Sequence, residues 1–367
     1  MDWTKTGHSY NIDVNVVHQT NVDNTLGSLR GVQLDGLSIN ENYYSDSRVQ
    51  GKITTIVASG ESDGYVANAR LRVILSIPEE NFVEELITGY VSDIDDDYSN
   101  GYLKRTYTIE GTIWGLLNHV TNAPITIGKG TKLISTWSST LKTLTRMQYD
   151  TEGAKDHSFG STVIYEAGSK LSTVLFEMSS GYDRMDTDGH GTITLREYTA
   201  PSKRTPSRVI DYNDLTGLTI APLSRKSEEY TIPGRAVVTA TVSKDDGNGQ
   251  SSQEVVVGSY DAPATHFTSI NTRGFLYGIS DSYSGNSENP SKTELNALAK
   301  TNWENAQEKG IEWTGTHVFA DFHAGDILTL VAPINVHENK LESHKVLVSS
   351  VDTNLQSFQQ TLTLKEV

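Results

Sequence analysis

Leu71, Val73, Leu75 and Ile77 occupy every second position of one short run, and a repeat of two places all four side chains on the same face of a β-strand. A helix would scatter them. Similar brief apolar stretches recur along the chain, interleaved with 37 Ser and 41 Thr among 367 residues. Branched Thr side chains suit a half-exposed pleated surface better than a helix interior. With a hydrophobic share of only 36%, a large helical bundle is disfavoured. A strand-rich, polar-surfaced chain of two or three domains is expected.

Composition also excludes chemistry. The net charge of −16 removes any general phosphate-gripping surface, because nucleic-acid affinity comes largely from Lys and Arg displacing counterions. DNA is repelled rather than held. The chain has no Cys, so disulfides, thiolate zinc sites, iron–sulfur clusters and Cys nucleophiles are out. Residues 1–10 lack the apolar core of a secretory signal, and no stretch approaches the roughly 18 uninterrupted apolar residues of a membrane helix. No G-x-S-x-G elbow, H-E-x-x-H, Walker loop or G-x-G-x-x-G occurs.

Strands are expected over 12–17, 32–39, 52–58, 69–77, 85–94 and 102–110, with turns at Asp35-Gly36, Asp63-Gly64 and Asn100-Gly101, where residues tolerate positive φ. Residues 1–111 therefore read as a small antiparallel barrel or sandwich. The period then changes. Ile113, Leu116, Leu117 and Val120 make one amphipathic stripe, and Leu133, Trp137, Leu141 and Leu144 make another. A third helix, 169–180, carries Leu171, Val174, Leu175 and Met178 on one face and stops at Gly181. Residues 112–206 read as a mixed α/β insertion.

Strands return in residues 207–367, over 236–242, 254–260, 326–332 and 345–352. Among them lies a helix over 291–309. It follows Pro290, opens on the capping box Ser291 to Glu294, buries Leu295, Leu298, Ala299, Trp303 and Ala306, and ends at Gly310. Segments 245–250 and 280–289 read as loops, and part of 240–306 is expected against the insertion. The class is mainly β with an α/β insertion.

Three sequence patterns suggest metal chemistry. The segment from Asp186 through Asp188, His190 and Gly191 to Glu197 matches a twelve-residue EF-hand loop at positions 1, 3, 6, 8 and 12. Its flanks do not fit, because Gly181 ends the entering helix early, residues 192–195 alternate like a strand, and Pro201 forbids a long exit helix. A β-hairpin turning at Asp188 to Gly191 is preferred, with calcium as the alternative. In the segment 317–323, strand alternation would align His317, Phe319, Asp321 and His323, a divalent-metal spacing interrupted by an aromatic ring. A half-exposed strand is preferred there. Asp93, Asp95, Asp96 and Asp97 could collect a hard cation but read first as a solvated hairpin tip. The carboxylate pairs Glu79/Glu80 and Glu84/Glu85 read as solvated charge, and no metal or cofactor is expected.

From Tyr165 onward the chain resembles the baseplate or tail-tip hub proteins of tailed bacteriophages, those of siphophage tails especially, and is similar to the central hub of contractile-tail baseplates. The resemblance rests on the helix, Asp-Gly hairpin and strand of 171–198, on Thr231-Ile-Pro-Gly-Arg-Ala-Val-Val238, and on Thr272-Arg-Gly274. The helix 294–306, the strand start Ala324-Gly-Asp326-Ile-Leu-Thr-Leu and the strands 345–352 and 357–367 follow in the same order. The family pattern would place Asn where this chain has Gly234.

That resemblance implies two tube-type antiparallel β-barrels flanking an α/β domain. It also implies a homotrimer whose six barrels form a pseudo-sixfold ring continuing the tail tube. Implied partners are the tail tube and distal tail proteins, the tape-measure protein, a host-contacting fibre or receptor-binding protein, and genomic DNA passing without specific binding. The implied location is the distal tip of the virion tail. Related hubs can carry a C-terminal peptidoglycan-cleaving or fibre domain; the chain stops at Val367 directly after its last expected strand, so a structural, non-enzymatic hub is expected. The alternative is a receptor- or carbohydrate-binding adhesin, motivated by 17 Tyr and 5 Trp.

Overall fold

Each of the six N-terminal stretches with strand periodicity forms a strand in the computed structural model, which describes residues 9–99, 101–211, 219–227, 232–245, 251–283, 290–307, 311–333 and 341–367. They are β1 (Asn11–Val17), β3 (Val32–Asn42), β4 (Val49–Ala58), β5 (Arg70–Ile77), β6 (Phe82–Ser99) and β7 (Tyr102–Gly111), with a short β2 (Thr25–Ser28) between the first two. All residues of β2 are exposed, so it has no apolar alternation to announce it. Leu71, Val73, Leu75 and Ile77 are fully buried, as their spacing requires. The opposite face of β5 is covered too: Arg70 and Arg72 are 2% and 6% exposed.

Two turn assignments change. Asp35-Gly36 lies inside β3, where the pairing with β4 slips between Gln33 and Ser38, and a Cβ at residue 36 would press into the Thr54 side chain. This glycine serves a bulge and a close strand approach. Asp93 to Asp97 are exposed but lie along β6, paired with β7, rather than at a tip. Gly101 has the expected left-handed backbone, φ +79°, while Asn100 lies outside the described residues.

The middle segment contains α1 (Ile113–Leu117), β8 (Ile125–Ile127), α2 (Leu133–Leu144), β9 (Tyr149–Asp150), β10 (Val163–Tyr165), α3 (Leu171–Ser179), β11 (Asp183–Thr187) and β12 (Ile193–Glu197). Its helices bury the stripes read from the sequence. Leu133, Trp137, Leu141, Leu171, Val174, Leu175 and Met178 share one core with Ile193 and Leu195. Val120 departs from its stripe: α1 ends at Leu117, and Val120 is exposed and bridged to Lys170.

The remainder comprises β13 (Arg208–Asp211), β14 (Thr219–Ser227), β15 (Arg235–Asp245), β16 (Ser251–Asp261), α4 (Ile270–Arg273), β17 (Gly278–Ser282), α5 (Lys292–Gln307), β18 (Ile311–Val318), β19 (Ile327–Pro333), β20 (Leu341–Asn354) and β21 (Gln359–Glu366). Among the described residues 50% are strand and 16% helix, which makes the class mainly β. The largest sheet runs through both halves of the chain in the order β14-β18-β21-β20-β3-β4-β7-β6-β5-β1-β2. Its halves meet where residues 350–354 of β20 pair antiparallel with residues 38–42 of β3. Aromatic stacking reinforces the junction, with Tyr10 on Phe358 at 4.4 Å and Phe358 on Phe319 at 4.9 Å.

Helix α5 lies on the three-stranded sheet β16-β15-β17, burying Leu295, Ala299 and Trp303 against Ala236, Val238 and Ala240. Its capping box is closed in both directions. Glu294 N–H donates to Ser291 Oγ at 3.2 Å, and Ser291 N–H donates to Glu294 Oε2 at 2.6 Å. Ser291→Ala is expected to cost about 1 kcal/mol, read as a lowered thermal midpoint. At Gly234 a Cβ would overlap the Thr268 carbonyl oxygen, so the Asn of the hub pattern would not fit. Thr231, Gly310 and the loop residues 246–250 and 284–289 fall outside the described residues. Among those described, no helix is long and apolar enough to cross a membrane.

Candidate functional site

The EF-hand-like segment forms the β11–β12 hairpin, in which Asp183 faces Glu197 at one end and Thr187 faces Ile193 at the other. Its three would-be calcium ligands are therefore held apart. Asp186 accepts from Arg184 Nε at 3.0 Å, Asp188 Oδ1 accepts the Thr192 N–H at 2.8 Å, and Glu197 pairs with Lys155 at 3.1 Å. The motif's small residues have another use. The hairpin tip inserts onto the Arg70/Arg72 face of the N-terminal sheet, where Thr88 and Thr112 hydroxyls donate to the carbonyls of Gly189 and Gly191, each at 2.8 Å.

A polar clamp surrounds that tip. Arg72 donates to Thr88 Oγ1 at 3.0 Å, Glu85 at 2.8 Å and the Val22 carbonyl at 2.8 Å. The His190 ring bridges Glu85 at 2.5 Å and Asp23 at 2.9 Å. Glu85 is thus not the solvated charge its sequence context suggests. A Cβ on Gly189 would overlap the Glu85 carbonyl oxygen, which makes glycine mandatory there.

A second polar centre forms where the two sheet halves join. Strand β18 ends at Val318, and Asp321 adopts a left-handed backbone, φ +57°, so alternation does not continue through residues 319–323. His317 is consequently separated from the others, with its Nδ1 at 2.5 Å from the Val318 carbonyl. Asp321 and His323 turn instead toward two acidic residues from the N-terminal half. His323 Nε2 faces Glu84 Oε1 at 2.9 Å and Asp321 Oδ1 at 3.1 Å. Its Nδ1 faces Glu41 Oε1 at 3.1 Å.

Local sequence explains how the carboxylates arrive. Leu37, Ile39 and Glu41 share the inward face of β3, and Phe82, Glu84 and Leu86 that of β6. An acidic residue at a core-facing strand position was the available signal, and composition-level reading missed it by treating Glu84 as solvated. Glu84 is only 17% exposed. Burial pushes its carboxyl up to about 7 against the opposing pull of His323. For Asp321, burial acts upward but hydrogen bonds from His323 and Glu84 prevail and hold it at about 2. Burial would lower His323, yet its three carboxylate neighbours raise it well above an ordinary imidazole.

Beside this centre is a cavity of about 270 Å³ whose walls include Glu41, Tyr43, Arg48, Arg184, Asp186 and His323. The Tyr43 carbonyl accepts from both Arg48, at 2.5 Å, and Arg184, at 2.8 Å. Burial, followed by the Arg184 charge, lowers the Arg48 pKa.

No protein-family model and no curated protein matches the sequence. Solved structures do match, over nearly the whole of both chains. A tail protein from Neisseria meningitidis MC58 aligns with a TM-score of 0.66 at 11% identity, covering 98% of this chain and 97% of the other. The prophage MuSo2 43 kDa tail protein from Shewanella oneidensis gives 0.66 at 9% identity, covering 97% and 98%. Prophage tail protein gp18 from Listeria monocytogenes EGD-e gives 0.55 at 11% identity, covering 96% and 94%. The fold of this chain is a phage tail-protein fold, from its first sheet to its last.

Proposed function

We propose that the chain is a structural hub at the distal end of a phage tail, assembling as a homotrimer that joins the tail tube to the baseplate or tail tip. The observation that carries this reading is the structural match to three tail proteins over nearly the whole of both chains.

In this reading residues 1–111 and 207–367 each curl into a tube-type barrel, and residues 112–206 form the α/β domain between them. The edge-to-edge pairing of β3 with β20 supports it, because two sheet units already joined side by side within one chain are one third of a six-unit wall. Three chains then provide six units around a bore. The charge of −16 suits a passage for DNA, since like charge keeps phosphate sliding rather than bound. The role is structural, with no catalytic step, and its place is the tail tip of the virion beside tail-tube, distal-tail, tape-measure and host-contacting proteins.

Light scattering on the purified full chain tests the assembly. The expected mass is that of three chains at micromolar concentration. A mass of one chain, unchanged on concentration, contradicts the hub.

A further inference from the structure

The geometry points to a divalent-cation site built from Glu84, Asp321 and His323, with Glu41 as the outer carboxylate that orients the imidazole. These four side chains come from β3, β6 and the turn after β18, so the ion would fasten the junction between the two sheet halves. This inference is independent of the hub reading, because it rests on the geometry, burial and charge of these side chains within one chain.

Several features distinguish this centre from an ordinary acidic patch. One ligand atom from each of Glu84, Asp321 and His323 lies within 4.8 Å of the others. The His323 Nε2 to carboxylate separations of 2.9 and 3.1 Å match the edge of an octahedron whose metal–ligand bonds are about 2.1 Å. The remaining ring nitrogen, Nδ1, faces Glu41. Glu41 is itself fixed by the Ala324 N–H at 3.0 Å. A carboxylate on the far nitrogen is the arrangement that sets tautomer and ring orientation in metal-binding histidines.

The second oxygen of Glu84 supplies an independent observation. It is shut off from solvent and no N–H or O–H donor among the described residues reaches it, although a buried carboxylate oxygen requires a donor or a cation. Charge balance argues in the same direction. Glu41, Glu84, Asp321 and Asp326 converge here, with Asp326 Oδ2 accepting the His323 N–H. Opposing them are the His323 ring and Arg208, whose guanidinium is 3.9 Å from Asp321. A mixed nitrogen and oxygen donor set favours Mn²⁺ or Zn²⁺ over Ca²⁺, which prefers oxygen alone.

The test is calorimetry on the full chain after dialysis against EDTA, with MnCl2, ZnCl2 and CaCl2 titrated separately. One Mn²⁺ or Zn²⁺ per chain is expected, with Ca²⁺ weaker. Glu84→Gln and Asp321→Asn should each abolish the heat, and Glu41→Gln should weaken binding at least about tenfold. Electron paramagnetic resonance of the Mn²⁺ complex of the unaltered protein should show coupling to an imidazole nitrogen, a readout that survives if a variant fails to fold. No uptake of any of the three ions, uptake unchanged in Glu84→Gln and Asp321→Asn, or a Mn²⁺ shell without nitrogen overturns the site.

Discussion

Gly189→Val is expected to destabilise the protein by about 3 kcal/mol, the upper end of ordinary overpacking, because the added carbons would meet backbone rather than a side chain that can rotate away. The first of them would overlap the Glu85 carbonyl oxygen, and β6 is held on both sides by β5 and β7. The hairpin tip must therefore withdraw. Withdrawal breaks the 2.8 Å bonds from Thr88 and Thr112 and leaves Arg72 and Glu85, both partly or wholly buried, without the His190 contacts. The core of the middle segment is built from other residues and should survive. Hydrogen exchange should show the effect as faster exchange in β5, β6 and the hairpin, with α2 and α3 still protected. Unaltered exchange at the hairpin contradicts the clamp.

Trp137→Ala acts on a different part of the molecule. Trp137 is among the largest fully buried side chains and packs in the core formed by α1, α2, α3 and β12, with Tyr149 edge-on at 6.1 Å. Removing the indole from a close-packed interior loses its transfer free energy and leaves a cavity, together costing about 3 to 5 kcal/mol. Chemical denaturation should show the loss. A change within about 0.5 kcal/mol, the range of surface substitutions, would mean that the helices do not close over this side chain.

What the sequence made legible was local. The two-residue repeat of Leu71 to Ile77 and the helical stripes of α2 and α3 depend on neighbours a few positions away, and so does the Ser291 to Glu294 box. All of them appear in the fold. The polar centres are not local. His323 and Glu41 are 282 residues apart, and period-two reasoning across 317–323 pairs Asp321 with His323 correctly but adds His317, which the left-handed turn at Asp321 separates from them. Likewise the Asp-Gly-His-Gly run was identifiable as a hairpin, but the surface receiving it was not, because Arg70 and Arg72 look like solvent-facing charges when β5 is read alone. The bulge at Gly36 shows the same limit: Asp-Gly marks permissive backbone, and only the neighbouring Thr54 decides whether the chain turns or stays extended.

The central claim is that three chains set their paired sheet units side by side around a bore. Electron-microscopic class averages of the purified full chain address it most directly. The account predicts threefold particles showing six wall segments of similar density around an open or plugged centre. Single compact particles without rotational symmetry, or a ring with any other number of chains, would contradict it.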